Sequence, residues 1–290
     1  MSGPDGLVEL TLSLPKLLEA EAPPESAADL PPIERAQELA YEAMEAEGRL
    51  QIKLARQALA VSPDCADAWV VLGDAASTPE AARECYERGV AAGERAIGAE
   101  AFAELTGQFW GHLETRPYMR ARLALADVLT SLGQEDEALG HFRELLRLNP
   151  NDNQGVRDLL MTALLNLGRN DEALALIEAY PDDIGAFASY AHLLVRYRLE
   201  GESPGAREAL DAAVAANAHV VSYLLKPDSM PFRRPSQYTL GSREEAVIVA
   251  EDLGPAYAAT PSVLEWLASR RPRPKTSKRT TAKSRQRPPR

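Results

Sequence analysis

Residues 108–122, QFWGHLETRPYMRAR, crowd aromatic rings, a histidine, a carboxylate and three arginines into one short run. His112 and Glu114 are the residue types of an acid–base pair. Arg116 and Arg120, one helical turn apart, are the types that clamp an anion. A second reading competes and is the one we adopt. Pro117 suits the first turn of a helix, so Arg116-Pro117 would start one. Phe109 and Trp110 would then cover the end of the segment upstream, and Arg116 would pair with nearby acids or helix carbonyls. The remaining histidines, His141, His192 and His219, form no i, i+4 pair, and no cysteine accompanies any of them, so no metal is expected. Nucleophile-elbow, P-loop and dinucleotide-binding patterns are missing, so the sequence nominates no catalytic residue and no cofactor. Cys65 and Cys85 lack CxxC spacing, which favours free thiols and a reducing compartment.

The elements that would carry such residues recur along the chain. LGQEDEALGHFRELLRLNP places Gly133 five residues before Ala138 and nine before Phe142, with Pro150 closing the unit. LGRNDEALALIEAYP repeats the offsets at Gly168, Ala173 and Ile177, and EGESPGAREALDAAVAAN repeats them at Gly201, Ala206 and Leu210. Upstream, PDCADAWVVLGDAA supplies Trp69, Leu72 and Gly73. A small residue between two antiparallel helices allows close approach. Leu125, Val128, Leu129 and Leu132, at helical spacing, give the first helix of a pair its apolar stripe. Each glycine suits a left-handed cap, and NPND at 149–152 offers Asp152 or Asn153 as the next N-cap. The expectation is an all-α solenoid: a right-handed superhelix of about five antiparallel helix pairs with a C-terminal capping segment.

These spacings resemble the tetratricopeptide repeat. The resemblance implies a concave groove lined by first helices that binds a peptide or protein without a chemical step. In some such grooves a lysine and an asparagine grip a terminal carboxylate. The matching positions here are Leu123, Asp127, Asp158 and Thr162, so that clamp is not expected. AVAANAHVVSYLL, GSREEAVIVAED and TPSVLEWL are also similar to the family named for suppression of tumorigenicity seven. FWG…TRPYMRARLALAD and LRLNPNDNQGVRDLL look like bacterial tetratricopeptide proteins of no assigned activity. Animal members of the first family are membrane-associated, but no stretch here approaches a membrane span.

Charge divides the chain. Residues 269–290 carry ten Lys or Arg and no acid, whereas residues 1–268 carry 22 basic and 43 acidic side chains, a net of −21. The expected organisation is a flexible segment 1–32 and a repeat domain 33–268, with an insertion at 93–117 and a capping segment at 219–268. A disordered basic tail follows at 269–290. The strap 226–242 would wrap the last repeat, and Thr260 would cap a final helix that ends in Trp266 and Leu267. With no signal peptide evident, the expected location is cytoplasmic. Arg120, Arg122 and Arg157, at matching places on adjacent first helices, would make a basic spot for an acidic peptide. The partner-binding candidates are Arg116, Arg120, Asp127, Arg157 and Asp158; the repeat-packing residues are Trp69, Leu72, Gly73, Ala138, Phe142, Ala173, Ala206 and Leu210. The alternative function is recruitment to nucleic acid through the basic tail.

Overall fold

A computed structural model of the chain describes residues 30–183 and 185–270. The expectations for a flexible 1–29 and a disordered, nucleic-acid-binding 271–290 lie outside those residues. The described part holds fourteen α-helices and no strand. Five hairpins come in order: α1 (Pro32–Glu45) with α2 (Gly48–Val61), α3 (Ala66–Asp74) with α4 (Pro79–Ile97), and, after the short α5 (Ala99–Glu104), α6 (Arg116–Ser131) with α7 (Glu135–Leu148). Then come α8 (Val156–Asn166) with α9 (Asn170–Ala179), and α10 (Ala186–Glu200) with α11 (Pro204–Ala216). Three helices close the chain: α12 (Val220–Leu225), α13 (Arg243–Ala258) and α14 (Pro261–Arg270). None of the described helices is long and apolar enough to cross a membrane.

Small side chains set the spacing within hairpins. In the first, Ala36, Ala40 and Ala43 face Ala55 and Ala58, all with no exposed surface, so the two backbones approach closely. Ala138, Ala173 and Ala206 are equally buried in the later hairpins, beside a nearly buried Phe142. Gly73 lies within the last turn of α3 and has no positive φ, so it is not a left-handed cap. A Cβ there would stand 2.2 Å from the Tyr86 ring, so the glycine is the seat of an aromatic from α4. Gly133 has the opposite reason: φ is +71° where α6 ends and the chain reverses. The N-cap of α8 is Gly155, not Asp152 or Asn153, but the Asp152 carboxylate reaches the first turn and accepts from the Val156 amide at 2.6 Å and the Arg157 amide at 3.0 Å.

Successive first helices pack on one another, α1 on α3, α3 on α6 and α8 on α10, while successive second helices make marginal contact at most. The first helices are therefore the inner layer of a curved stack. The join between α6 and α8 is carried by α7. α13 departs from the hairpin pattern, because it packs on both α8 and α10 and so crosses the inner layer. The Tyr257 hydroxyl donates to the Tyr190 carbonyl at 2.9 Å. The Arg198 guanidinium ties three helices together, donating to Leu165 O at 2.6 Å, Ala256 O at 2.6 Å and Thr260 Oγ1 at 2.9 Å.

Several boundaries and contacts differ from the sequence expectation. The first helix begins at Pro32, within the segment assigned as flexible, because prolines satisfy its first turn. Residues 93–97 belong to α4, since Gly93 is needed where its backbone crosses α6: a Cβ would meet the Tyr118 Cβ at 2.7 Å. Ser269 and Arg270 extend α14 past residue 268. The Thr260 hydroxyl donates to Ala256 O and accepts from Arg198, and so is engaged backwards along α13 instead of capping α14. The strap 226–242 meets the last repeat only at its end, where Asn217, just after α11, donates to the Ser242 carbonyl at 2.8 Å. Its Phe232 is 103% exposed and its Leu240 80%, and Arg234 holds it to α13 through Glu251 and Asp252.

Candidate partner-binding face

Asp67, near the start of α3, has no exposed surface. Burying a carboxylate is costly unless it is paired and its lone pairs are filled. Arg120 on α6 fills them, with Nε 2.8 Å from one oxygen and Nη2 on the other. Gln37 on α1 adds a bond at 2.6 Å from its Nε2. The three groups form a ladder across the first three inner helices. Arg120 is thus an internal staple between repeats, and its assignment as a free partner contact is corrected.

Arg116 is spent as well. Its Nε donates to the Trp110 carbonyl at 3.0 Å and its guanidinium lies over the Trp110 ring at 4.8 Å. That contact fastens the 98–115 insertion to the start of α6. Phe109, fully buried, makes edge contacts with Phe102 and Tyr118 at 4.9 and 6.1 Å, so the insertion is part of the core. His112 and Glu114 face each other at 3.6 Å on an exposed turn. Arg157 binds Asp152 at 3.0 Å and Asp183 at 3.4 Å, and its guanidinium covers the Tyr180 ring at 4.5 Å. Arg122 donates to the Tyr118 hydroxyl. The basic spot expected from Arg120, Arg122 and Arg157 does not form, because each arginine answers an acid or an aromatic of its own repeat neighbourhood.

The carboxylates are what remain. Asp127 on α6 and Asp158 on α8 are exposed and have no ion-pair partner among the described residues. Both are reachable by water yet ringed by protein, as on a concave surface. That enclosure holds the Asp127 carboxyl above the ordinary carboxylate range. Asp158 is pushed up to about 7 by the same enclosure, then by the charges of Asp183 and Asp152, with Arg157 opposing and Asp252 of α13 adding to the rise. An acid whose folded pKa lies above its unfolded value of about 3.9 penalises the fold while it is ionised, and the penalty fades as pH drops toward that value. Asp158→Asn is therefore expected to be more stable than the wild type at pH 8, with the gap closing by about pH 4.5. The side chain keeps its access to water, so the gap stays below about 1 kcal/mol. Urea midpoints at the two pH values measure it; a gap independent of pH would refute the assignment.

The sequence did not disclose Asp67 or Gln37. A buried aspartate at a helix start reads as an N-terminal charge, and only the packing of α6 shows its partner. The free carboxylates were named, but grouped with arginines that the fold uses elsewhere.

A family model described as tetratricopeptide repeat matches residues 129–197, the end of α6 through most of α10. Among solved structures, the crystal structure of YrrB, titled a TPR protein with an unusual peptide-binding site, is 24% identical. The match covers 64% of this chain and 84% of that one, with a TM-score of 0.44. No curated protein matches the chain. The repeat match over 129–197 coincides with hairpins whose glycine, alanine and large apolar positions recur at fixed offsets, Gly133, Ala138 and Phe142, then Gly168, Ala173 and Ile177, and this stretch of the chain is built of tetratricopeptide repeats.

Proposed function

We propose that the protein is a non-catalytic interaction scaffold that holds a peptide or protein segment against the inner layer of first helices. The unit runs from Pro32 to Arg270 and works in the cytoplasm, in keeping with its two free cysteines. One observation carries the reading. Asp127 and Asp158 stand unpaired and partly enclosed on consecutive first helices, while the arginines beside them are consumed within the fold. Such a face favours a partner that brings lysine or arginine to it, the reverse of the acidic peptide that the sequence suggested. Pairing would also relieve the like-charge crowding around Asp158.

The test is capture of partners from native lysate by the wild type and by Asp127→Lys/Asp158→Lys. Loss of a defined set of partners from the double variant, with the same set released as salt is raised, is the expected result. An unchanged set at both salt levels would refute the inner face as the binding surface.

A further inference from the structure

α2 carries a face that the stack does not use. Ala55 and Ala58 point into the hairpin and have no exposed surface. On the opposite side, Arg49, Lys53 and Arg56 stand exposed at spacings of four and three residues, and Ile52 is half-buried between them. With Gln57 and Ala60 they line a shallow depression along the helix. α2 contains no Asp or Glu. None of the three cations has an ion-pair or hydrogen-bond partner among the described residues, in a body whose arginines are mostly paired. Unpaired cations flanking an aliphatic side chain match an acidic segment with apolar side chains at short intervals.

We propose that this strip of α2 is the docking face for the acidic, leucine-bearing segment that precedes α1 in the same chain. Residues 1–29 hold six carboxylates (Asp5, Glu9, Glu19, Glu21, Glu25, Asp29) against one lysine, Lys16. Leu7, Leu10, Leu12, Leu14, Leu17 and Leu18 supply the apolar partners for Ile52. Geometry favours the match. α1 and α2 form a hairpin, so the chain enters α1 beside the end of α2 that bears Arg56. The strip from Arg56 to Arg49 is about 10 Å long at the helical rise. The fourteen bonds of chain from Leu30 back to Lys16 reach about 45 Å when extended, more than enough to lie along it. The basic residues 271–290 are the rival for the same acids, but they leave the stack at α14, at the opposite end of the array of hairpins.

The lysines allow a clean test, because Lys53 and Lys226 are the only ones between residues 30 and 270. Full-length protein is treated with a short amine-reactive cross-linker at low salt, and the linked peptides are identified by mass spectrometry. A Lys16–Lys53 link is expected within one chain, shown by mixing heavy- and light-isotope protein. Its yield should fall about tenfold in Arg49→Glu/Arg56→Glu, which keeps Lys53 and alters only exposed side chains. Circular dichroism of the variant checks that the fold is kept, and raising salt in the wild type gives the same readout with no substitution. Absence of the link overturns the proposal, as does a yield unmoved by both charge reversal and salt, which would reflect tethering alone. Links from Lys16 to Lys275, Lys278 or Lys283 in place of Lys53 would assign the segment to the basic residues instead. Links between heavy and light chains would make the occupant a second copy.

Discussion

Arg120→Ala is expected to lower stability by about 3–5 kcal/mol, far more than the loss of a surface ion pair. Asp67 has no exposed surface, and its charge is acceptable only because a guanidinium and an amide meet it. Truncating the arginine leaves the carboxylate buried and under-paired, so the cost is desolvation that nothing offsets. The melting temperature should drop by about 10 °C for a fold of this size. Asp67→Leu/Arg120→Met removes both charges and keeps the volume, and should recover most of that loss. A drop of less than about 2 °C in the single variant would show that water reaches Asp67 and that the ladder is not a staple.

Tyr257→Ala should cost a similar amount, about 3–5 kcal/mol, by a different route. The side chain is 1% exposed, fills space between α13 and α10, and donates to the Tyr190 carbonyl. Full burial raises the pKa of its hydroxyl well above the usual tyrosine value. Tyr257→Phe keeps the ring and removes one hydrogen bond, so it should cost about 1 kcal/mol. Hydrogen exchange locates the effect: amides of α8 and α10 should exchange faster in the alanine variant, while those of α1 to α4 hold. Uniform acceleration along the chain would mean that the stack melts as one unit.

Much of this fold is legible in the sequence because repetition turns weak local signals into a strong one. Gly133, Gly168 and Gly201 recur with an alanine five residues on, and the hairpins fall where those offsets put them. The same logic misplaced the 93–117 boundary. Gly93, where the insertion was expected to begin, is a helix interior held open for Tyr118. The candidate site was less legible for a related reason. Arginine spacing predicts which helix face a side chain shares, but pairing is decided by acids distant in sequence, such as Asp67 for Arg120, 53 residues away. The crossing of α13 had no local signal, because its helix pattern does not say which layer will receive it.

That crossing sets a ruler. With α13 laid over α8 and α10, the uncovered inner layer runs from α1 through α3 and α6 to the near edge of α8. Helices in contact sit about 8–10 Å apart and each is about 10 Å wide, so the open stretch across α1, α3 and α6 up to the edge of α8 is about 30 Å. A strand-like ligand covers about 3.3 Å per residue, which limits the bound stretch to about nine residues. On the proposed binding at this face the ligand is a short motif, and added flanking sequence in it should bring no added affinity.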